Sequence, residues 1–215
     1  MQIRLTGLFR ASFPNLAFIS YVVELRSMLM GCRTVLDLGC GEASPLRFLK
    51  VARSVGVDGY GAAIDAARLK GTHDELYRFD VRAIRDKYPT RSFCCCVALD
   101  LIEHLPKDDG YRLIQDMERL ASRRVVIFTP NGFIPQLSKD GDLQEHLSGW
   151  TVDEFRSLGF AVIGMYGVKS LRGETHNLRH RPKLFWGVVS ALTHFLYTRR
   201  HPEKAAAILA VKGMA

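Results

Sequence analysis

The residues with the clearest chemical potential lie in one short stretch, Val35-Leu-Asp-Leu-Gly-Cys-Gly41-Glu-Ala-Ser-Pro45. An apolar run ends in two glycines, and Ser44-Pro45 then reads as a helix start, with serine at the cap and proline where a missing N–H does no harm. Glycines at such a turn let a ligand approach the backbone, and the helix N-terminus beyond them presents unpaired N–H groups at the carboxyl edge of a parallel sheet. Gly39 and Gly41 supply only G-x-G. The third glycine of a dinucleotide site would stand at Ser44, so the ligand need not be a dinucleotide. Asp58 follows Asp37 by 21 residues and ends a second β-rich run, where a carboxylate can accept two ribose hydroxyls; Asp80 ends a third.

A second constellation is Asp100, Glu103 and His104. On a helical turn positions i, i+3 and i+4 share one face, and two carboxylates with an imidazole suit Mg²⁺, Mn²⁺ or Zn²⁺. A structural zinc site is disfavoured, because the five cysteines include no C-x-x-C pair. Their odd number, the lack of a recognisable leader and the apolar setting of Cys94, Cys95 and Cys96 read as small hydrophobes in a reducing compartment.

The elements that must position these groups alternate. Strand-like runs fall at Thr34 to Leu38, Ser54 to Val57, Leu76 to Phe79, Phe93 to Leu99, Arg124 to Thr129, Phe160 to Tyr166 and Ala207 to Val211. Helical spacing occurs at Pro45 to Arg53, Ala62 to Lys70, Lys107 to Leu120 and Thr151 to Leu158, the last with a capping box. Phe18 to Met30 reads as an amphipathic helix over the sheet edge or the site. This alternation implies an α/β fold, a doubly wound, Rossmann-like and mostly parallel sheet with helices on both faces. The 215 residues, 47% hydrophobic and 24% charged, suffice for one domain over 1–215. Residues 1–30 form its N-terminal cap region and 169–204 an insertion between the last two strands.

Charge is uneven. The net charge is +8, yet residues 169–204 alone carry eight basic and two acidic side chains, a local +6. A whole-surface nucleic-acid binder is therefore disfavoured. Within that segment Leu184 to Tyr197 is 14 residues long, too short for the roughly 20 that cross a bilayer. On a helical wheel Gly187, Ser190, His194 and Tyr197 share a narrow face. The plainest reading is a crossover helix packed on the sheet; the alternatives are an apolar acceptor pocket or peripheral membrane contact.

Taken together, Val35 to Gly41, Gly56-Val-Asp58, Phe79-Asp-Val81, Leu99-Asp-Leu-Ile-Glu-His-Leu105, Thr129-Pro-Asn131 and His146 to Phe155 resemble, in order and spacing, the class I S-adenosylmethionine-dependent methyltransferases over about residues 20 to 168. The resemblance implies a seven-stranded sheet with an antiparallel last strand and S-adenosyl-L-methionine as cofactor. It implies that Asp37 orients the methionine amino group, Gly39 and Gly41 make room for it, and Leu99 offers it a carbonyl. Asp58 then holds the ribose, Asp80 the adenine amine, and the Val81 N–H a ring nitrogen. Ala43 stands where the family often has a third glycine.

Methyl transfer from a sulfonium needs alignment and the removal of a proton from the acceptor, and His104 and His146 are the candidate catalytic bases. Asp100, Glu103, His104 and His146 also resemble the metal-binding set of small-RNA 2′-O-methyltransferases and ubiquinone-pathway O-methyltransferases, but a divalent metal is the lesser reading. The sequence thus points to a cytoplasmic methyltransferase, in membrane contact if residues 184–197 provide it, acting on oxygen or nitrogen of a small, lipophilic molecule. The alternatives are a metal-assisted RNA 2′-O-methyltransferase and a non-catalytic cofactor-binding module. Acceptor identity and oligomeric state are not encoded in any recognisable motif.

Overall fold

The computed structural model describes residues 16–136, 145–173 and 177–214. Parts of the 1–30 cap and of the 169–204 insertion therefore lie outside the described residues. Seven strands form one sheet: β1 (Thr34–Leu38), β2 (Arg53–Asp58), β3 (Glu75–Arg78), β4 (Phe93–Leu99), β5 (Ala121–Pro130), β6 (Ala161–Val168) and β7 (Ala205–Gly213), in the order β3-β2-β1-β4-β5-β7-β6. The first five pair in parallel, and β7 runs antiparallel between β5 and β6. This is the expected architecture. The strand order reverses between β1 and β4, which opens a crevice at their carboxyl ends.

Five α-helices cover the sheet: α1 (Leu16–Met28), α2 (Gly61–Lys70), α3 (Lys107–Leu120), α4 (Val152–Ser157) and α5 (Lys183–Thr193). Alternation along the strands divides the core. Leu36 and Leu38 of β1 and Cys96 and Ala98 of β4 meet Leu113 and Met117 of α3 and Phe155 of α4. Val35, Cys95 and Val97 face the other way, against Tyr21 and Leu25 of α1. Both faces are closed, as a parallel sheet requires.

Two expectations need correction. Pro45 to Arg53 is no helix but a single 3-10 turn, Pro45–Phe48, capped by Ser44. Only Leu46 of that turn is buried, so nothing holds a longer helix, and Arg33 O already draws the N–H groups of Ala52 and Arg53 toward β2. The cysteines are not all free. Cys32, in the turn after α1, lies over β4 and is joined by a disulfide to Cys95, with Cα atoms 6.1 Å apart. Spacing could not show this, because two cysteines 63 positions apart are brought together only by the parallel pairing of β1 with β4.

Trp150 anchors the segment that follows β5. It is wholly buried, its ring lies between Tyr111 and Phe155, and Lys107 Nζ sits 3.6 Å above its centre. Its backbone bridges Asn131 and Gly132. Trp150→Ala is expected to lower the unfolding free energy by about 3–5 kcal/mol, as for other large buried side chains. Urea denaturation measures this, and a loss under about 1 kcal/mol would remove Trp150 from that role.

Candidate functional site

At the crevice between β1 and β4 lies a cavity of about 950 Å³, at the upper end of the roughly 300–1,000 Å³ usual for small-molecule sites. Its floor is the turn after β1. Gly39 and Gly41 both take left-handed φ, +67° and +55°. At Gly39 a Cβ would stand 2.6 Å from Leu101 Cδ1, whereas at Gly41 it would meet nothing within 4 Å. Gly39 is thus needed for space and conformation, Gly41 for conformation only.

Asp58 rivets this turn to β2. One carboxylate oxygen accepts the Gly41 N–H at 2.9 Å and the other the Tyr60 N–H at 2.8 Å. Asp80 accepts the N–H of Arg82 and pairs with its guanidinium at 2.5 Å, which holds the Asp80 carboxyl below the usual carboxylate range. Gly39, Gly41, Asp58, Asp80, Val81, Leu99 and His104 all line the one cavity.

Asp37 does not line it. Its carboxylate lies beneath the glycine turn, accepting the Ser44 hydroxyl at 2.5 Å and bonded to His73 Nε2 at 3.1 Å. Its other oxygen, Oδ1, is buried without a hydrogen-bond partner among the described residues. Asp37 therefore positions the turn from below, and the buried His73 that fixes it carried no sequence signal.

His146 also lies off the cavity wall, its ring edge-to-face with that of His104 at 4.8 Å between centres. His104 Nδ1 is 3.0 Å from the Glu145 carbonyl and His146 Nδ1 2.7 Å from that of Ile134, so each ring donates through Nδ1–H. Glu103 lies below them. Its carbonyl accepts the N–H groups of Leu147 and Ser148, and its carboxylate accepts the Thr129 hydroxyl at 3.0 Å. Burial, and next the Asp100 charge, push the Glu103 carboxyl well above the usual range. Single ligand atoms of Glu103, His104 and His146 lie within 4.8 Å of one another, a set with the chemistry of a divalent-metal site. Asp100, expected as a fourth member, stands outside it and faces the cavity.

The cavity is also lined by aromatic side chains, Phe18 and Tyr21 from α1 and Tyr166 from β6. The Tyr21 hydroxyl is buried with no hydrogen-bond partner among the described residues. Asp100 and Tyr166 both take left-handed φ, +54° and +64°, two of three such non-glycine residues among those described. Backbone strain of that kind gathers at functional sites. The Asp100 carboxyl faces the cavity, and desolvation by the surrounding protein pushes it up to about 7. Sequence reading missed the aromatic wall, since nothing in the pattern distinguishes Tyr21 or Tyr166 from core residues.

Comparison with known proteins gives these positions a context. Residues 36–128, from β1 through most of β5, match the methyltransferase domain family. No curated protein matches the chain. Among solved structures, a SAM-dependent methyltransferase from Archaeoglobus fulgidus superposes with a TM-score of 0.61 at 17% identity, covering 90% of this chain and 91% of that one. Magnesium protoporphyrin IX methyltransferase from Synechocystis PCC 6803 gives 0.54 at 16% identity over 99% and 88%. TehB from Haemophilus influenzae gives 0.60 at 14% identity over 91% and 62%. At such identities the likeness is one of fold.

The Asp100 environment has a pH consequence. An unfolded aspartate titrates near 3.9, so between there and about 7 the folded chain keeps a proton that the unfolded chain has lost. The stability tied to that proton is present below the unfolded value and lost as pH rises toward 7. Asp100→Asn, which tolerates the same φ, should therefore be more stable than the wild type at pH 8 and equal to it near pH 4. Urea midpoints at the two pH values measure the difference, and the opposite order would refute the desolvation of Asp100.

Proposed function

We propose that this chain, whose residues 36–128 match the methyltransferase domain family, is a class I S-adenosylmethionine-dependent methyltransferase that methylates an oxygen or nitrogen of a small, lipophilic acceptor. The observation that carries this reading is a single cavity lined both by strand-end carboxylates and glycines and by the aromatic side chains of Phe18, Tyr21 and Tyr166. The carboxylates and glycines suit a nucleoside bearing an amino acid. Asp58 would take the ribose hydroxyls, Asp80 the adenine amine and the Val81 N–H a ring nitrogen. Gly39 and Gly41 leave room for the methionine portion, whose amine would meet the Leu99 carbonyl. Asp37 would act through Ser44 and the turn above it. The aromatic side chains suit an apolar or aromatic acceptor rather than a charged polymer.

Bound there, S-adenosylmethionine supplies an activated methyl carbon for in-line displacement. The chain's own task is to align the acceptor and take its proton. His104 is assigned as the base, because its ring lines the cavity and its Nδ1–H is committed to Glu145, so that Nε2 is the nitrogen that would take the proton. His146 packs on that ring and fixes its tilt.

A second reading assigns Glu103, His104 and His146 to a divalent metal that would hold the acceptor oxygen. It is favoured by both imidazoles donating Nδ1–H to backbone carbonyls, the way metal-ligating histidines are usually held. Extended to RNA 2′-O-methylation it fares less well, since the basic excess lies in residues 169–204 and not along a groove. The third reading, a binding module without transfer, is separated from both by turnover.

Asp58→Ala is expected to weaken S-adenosylhomocysteine binding by roughly tenfold or more in isothermal titration, through loss of charge-assisted hydrogen bonds. His104→Ala should leave that affinity within a few fold and lower kcat by about 10²–10⁴, followed as S-adenosylhomocysteine release with a panel of hydrophobic phenols and amines. Activity that survives exhaustive chelation supports the base; activity lost and restored by Mg²⁺ or Mn²⁺ supports the metal.

A further inference from the structure

Helix α5 and the wider π turn that continues it, His194–Thr198, are inside out. Their buried side is polar: Ser190 and His194 are 1% exposed and Thr198 not at all. Their outer side is apolar, with Leu184 81%, Phe185 57% and Leu196 78% exposed, joined by Val188, Leu192 and Phe195. These six stand at i, i+1, i+4, i+8, i+11 and i+12, one stripe along the helix.

Two glycines of β6 explain the inversion. A Cβ at Gly167 would stand 2.3 Å from Ser190 O, and one at Gly164 2.2 Å from Thr198 O, so the helix backbone rests almost on the strand. The small side chains of Ser190 and Thr198 fit that gap and are hydrogen-bonded there. Ser190 Oγ donates to Tyr166 O at 2.7 Å and accepts from Arg172 Nη2 at 2.9 Å. The large apolar side chains are left to face outward. Helix α1, packed beside α5, extends the surface with exposed Ile19 and Val23.

Basic side chains bracket the stripe: Arg179, Arg181 and Lys183 precede it and Arg200 and Lys204 follow, all exposed. Arg199 is tied to Glu24 at 2.6 Å. A second copy docking face to face would bring these cations against their own images, whereas anionic headgroups would neutralise them. At 16 residues the segment is too short to cross a bilayer, and no described helix is long and apolar enough to do so. Lying in the interface plane remains.

We propose that the α5–α1 face docks on an anionic lipid bilayer. Helix α1 turns Ile19 and Val23 to this face and Phe18 and Tyr21 into the cavity, so lipid and acceptor site stand on two sides of one helix. Delivery of the acceptor from the bilayer rests on the lipophilic acceptor assigned above; the docking itself does not.

The test is co-sedimentation of the intact protein with vesicles of phosphatidylcholine alone and of phosphatidylcholine mixed with phosphatidylglycerol. Binding is expected to the mixed vesicles and to fall as salt rises. F185S/L196S should weaken it by roughly tenfold or more, from the apolar area no longer buried in lipid, with circular dichroism and S-adenosylhomocysteine affinity unchanged. R179Q/R181Q/K183Q should weaken binding to the mixed vesicles and abolish its salt dependence. No sedimentation of the wild type, or equal sedimentation of F185S/L196S, overturns the proposal. So does a dimer in light scattering that F185S/L196S dissolves while neither protein binds vesicles. S-adenosylhomocysteine titration of the same samples tells a failure of docking from a failure of the cofactor site.

Discussion

The hydrogen bond from the Gly41 N–H to the Asp58 carboxylate is the constraint on which the site depends. It crosses from the end of β1 to the end of β2 and holds a turn that has left-handed backbone at both glycines. Asp37 grips the same turn from beneath through Ser44. Without these two carboxylates the loop would have no reason to stay open, because glycine has the most conformational freedom to lose on folding. The cavity therefore exists as a product of sheet order. The chain leaves β1 toward β2 on one side and returns as β4 on the other, and the gap cannot be filled by either connection.

Behind the acceptor side lies a second, drier frame. Glu103, Thr129, Ser148 and Trp150 are buried and linked, and they hold residues 145–150 over the turn that follows β4. His104 and His146 sit on this frame, each fixed by a backbone carbonyl. Asn131, read only as part of a family-like motif, proves to be structural: its amide donates to Pro202 O and Ala205 O and sets the start of β7. A buried, satisfied polar network of this kind costs little and fixes geometry.

The outer layer follows different rules. Helix α5 spends its small polar face on the strand and its large apolar face on the surroundings, the reverse of an ordinary surface helix. Its shape against β6 is dictated by Gly164 and Gly167, and its exposed stripe is a consequence of that close approach.

Sequence alone determined what depends on local pattern. Strand positions, the ends of α3, the cap of α4 and the glycine turn with its carboxylates are written in periodicity and residue type, since each is dictated by neighbours within a few residues. A helix at 45–53 failed because its partner surface was missing, a fact that spacing cannot hold. Tertiary structure alone decided that Asp37 lies beneath the cavity, that Cys32 meets Cys95, that Tyr21 and Tyr166 wall the site, and which side of α5 faces out. Each of these joins residues far apart in sequence, and the parallel register that brings them together is settled by packing of the whole sheet.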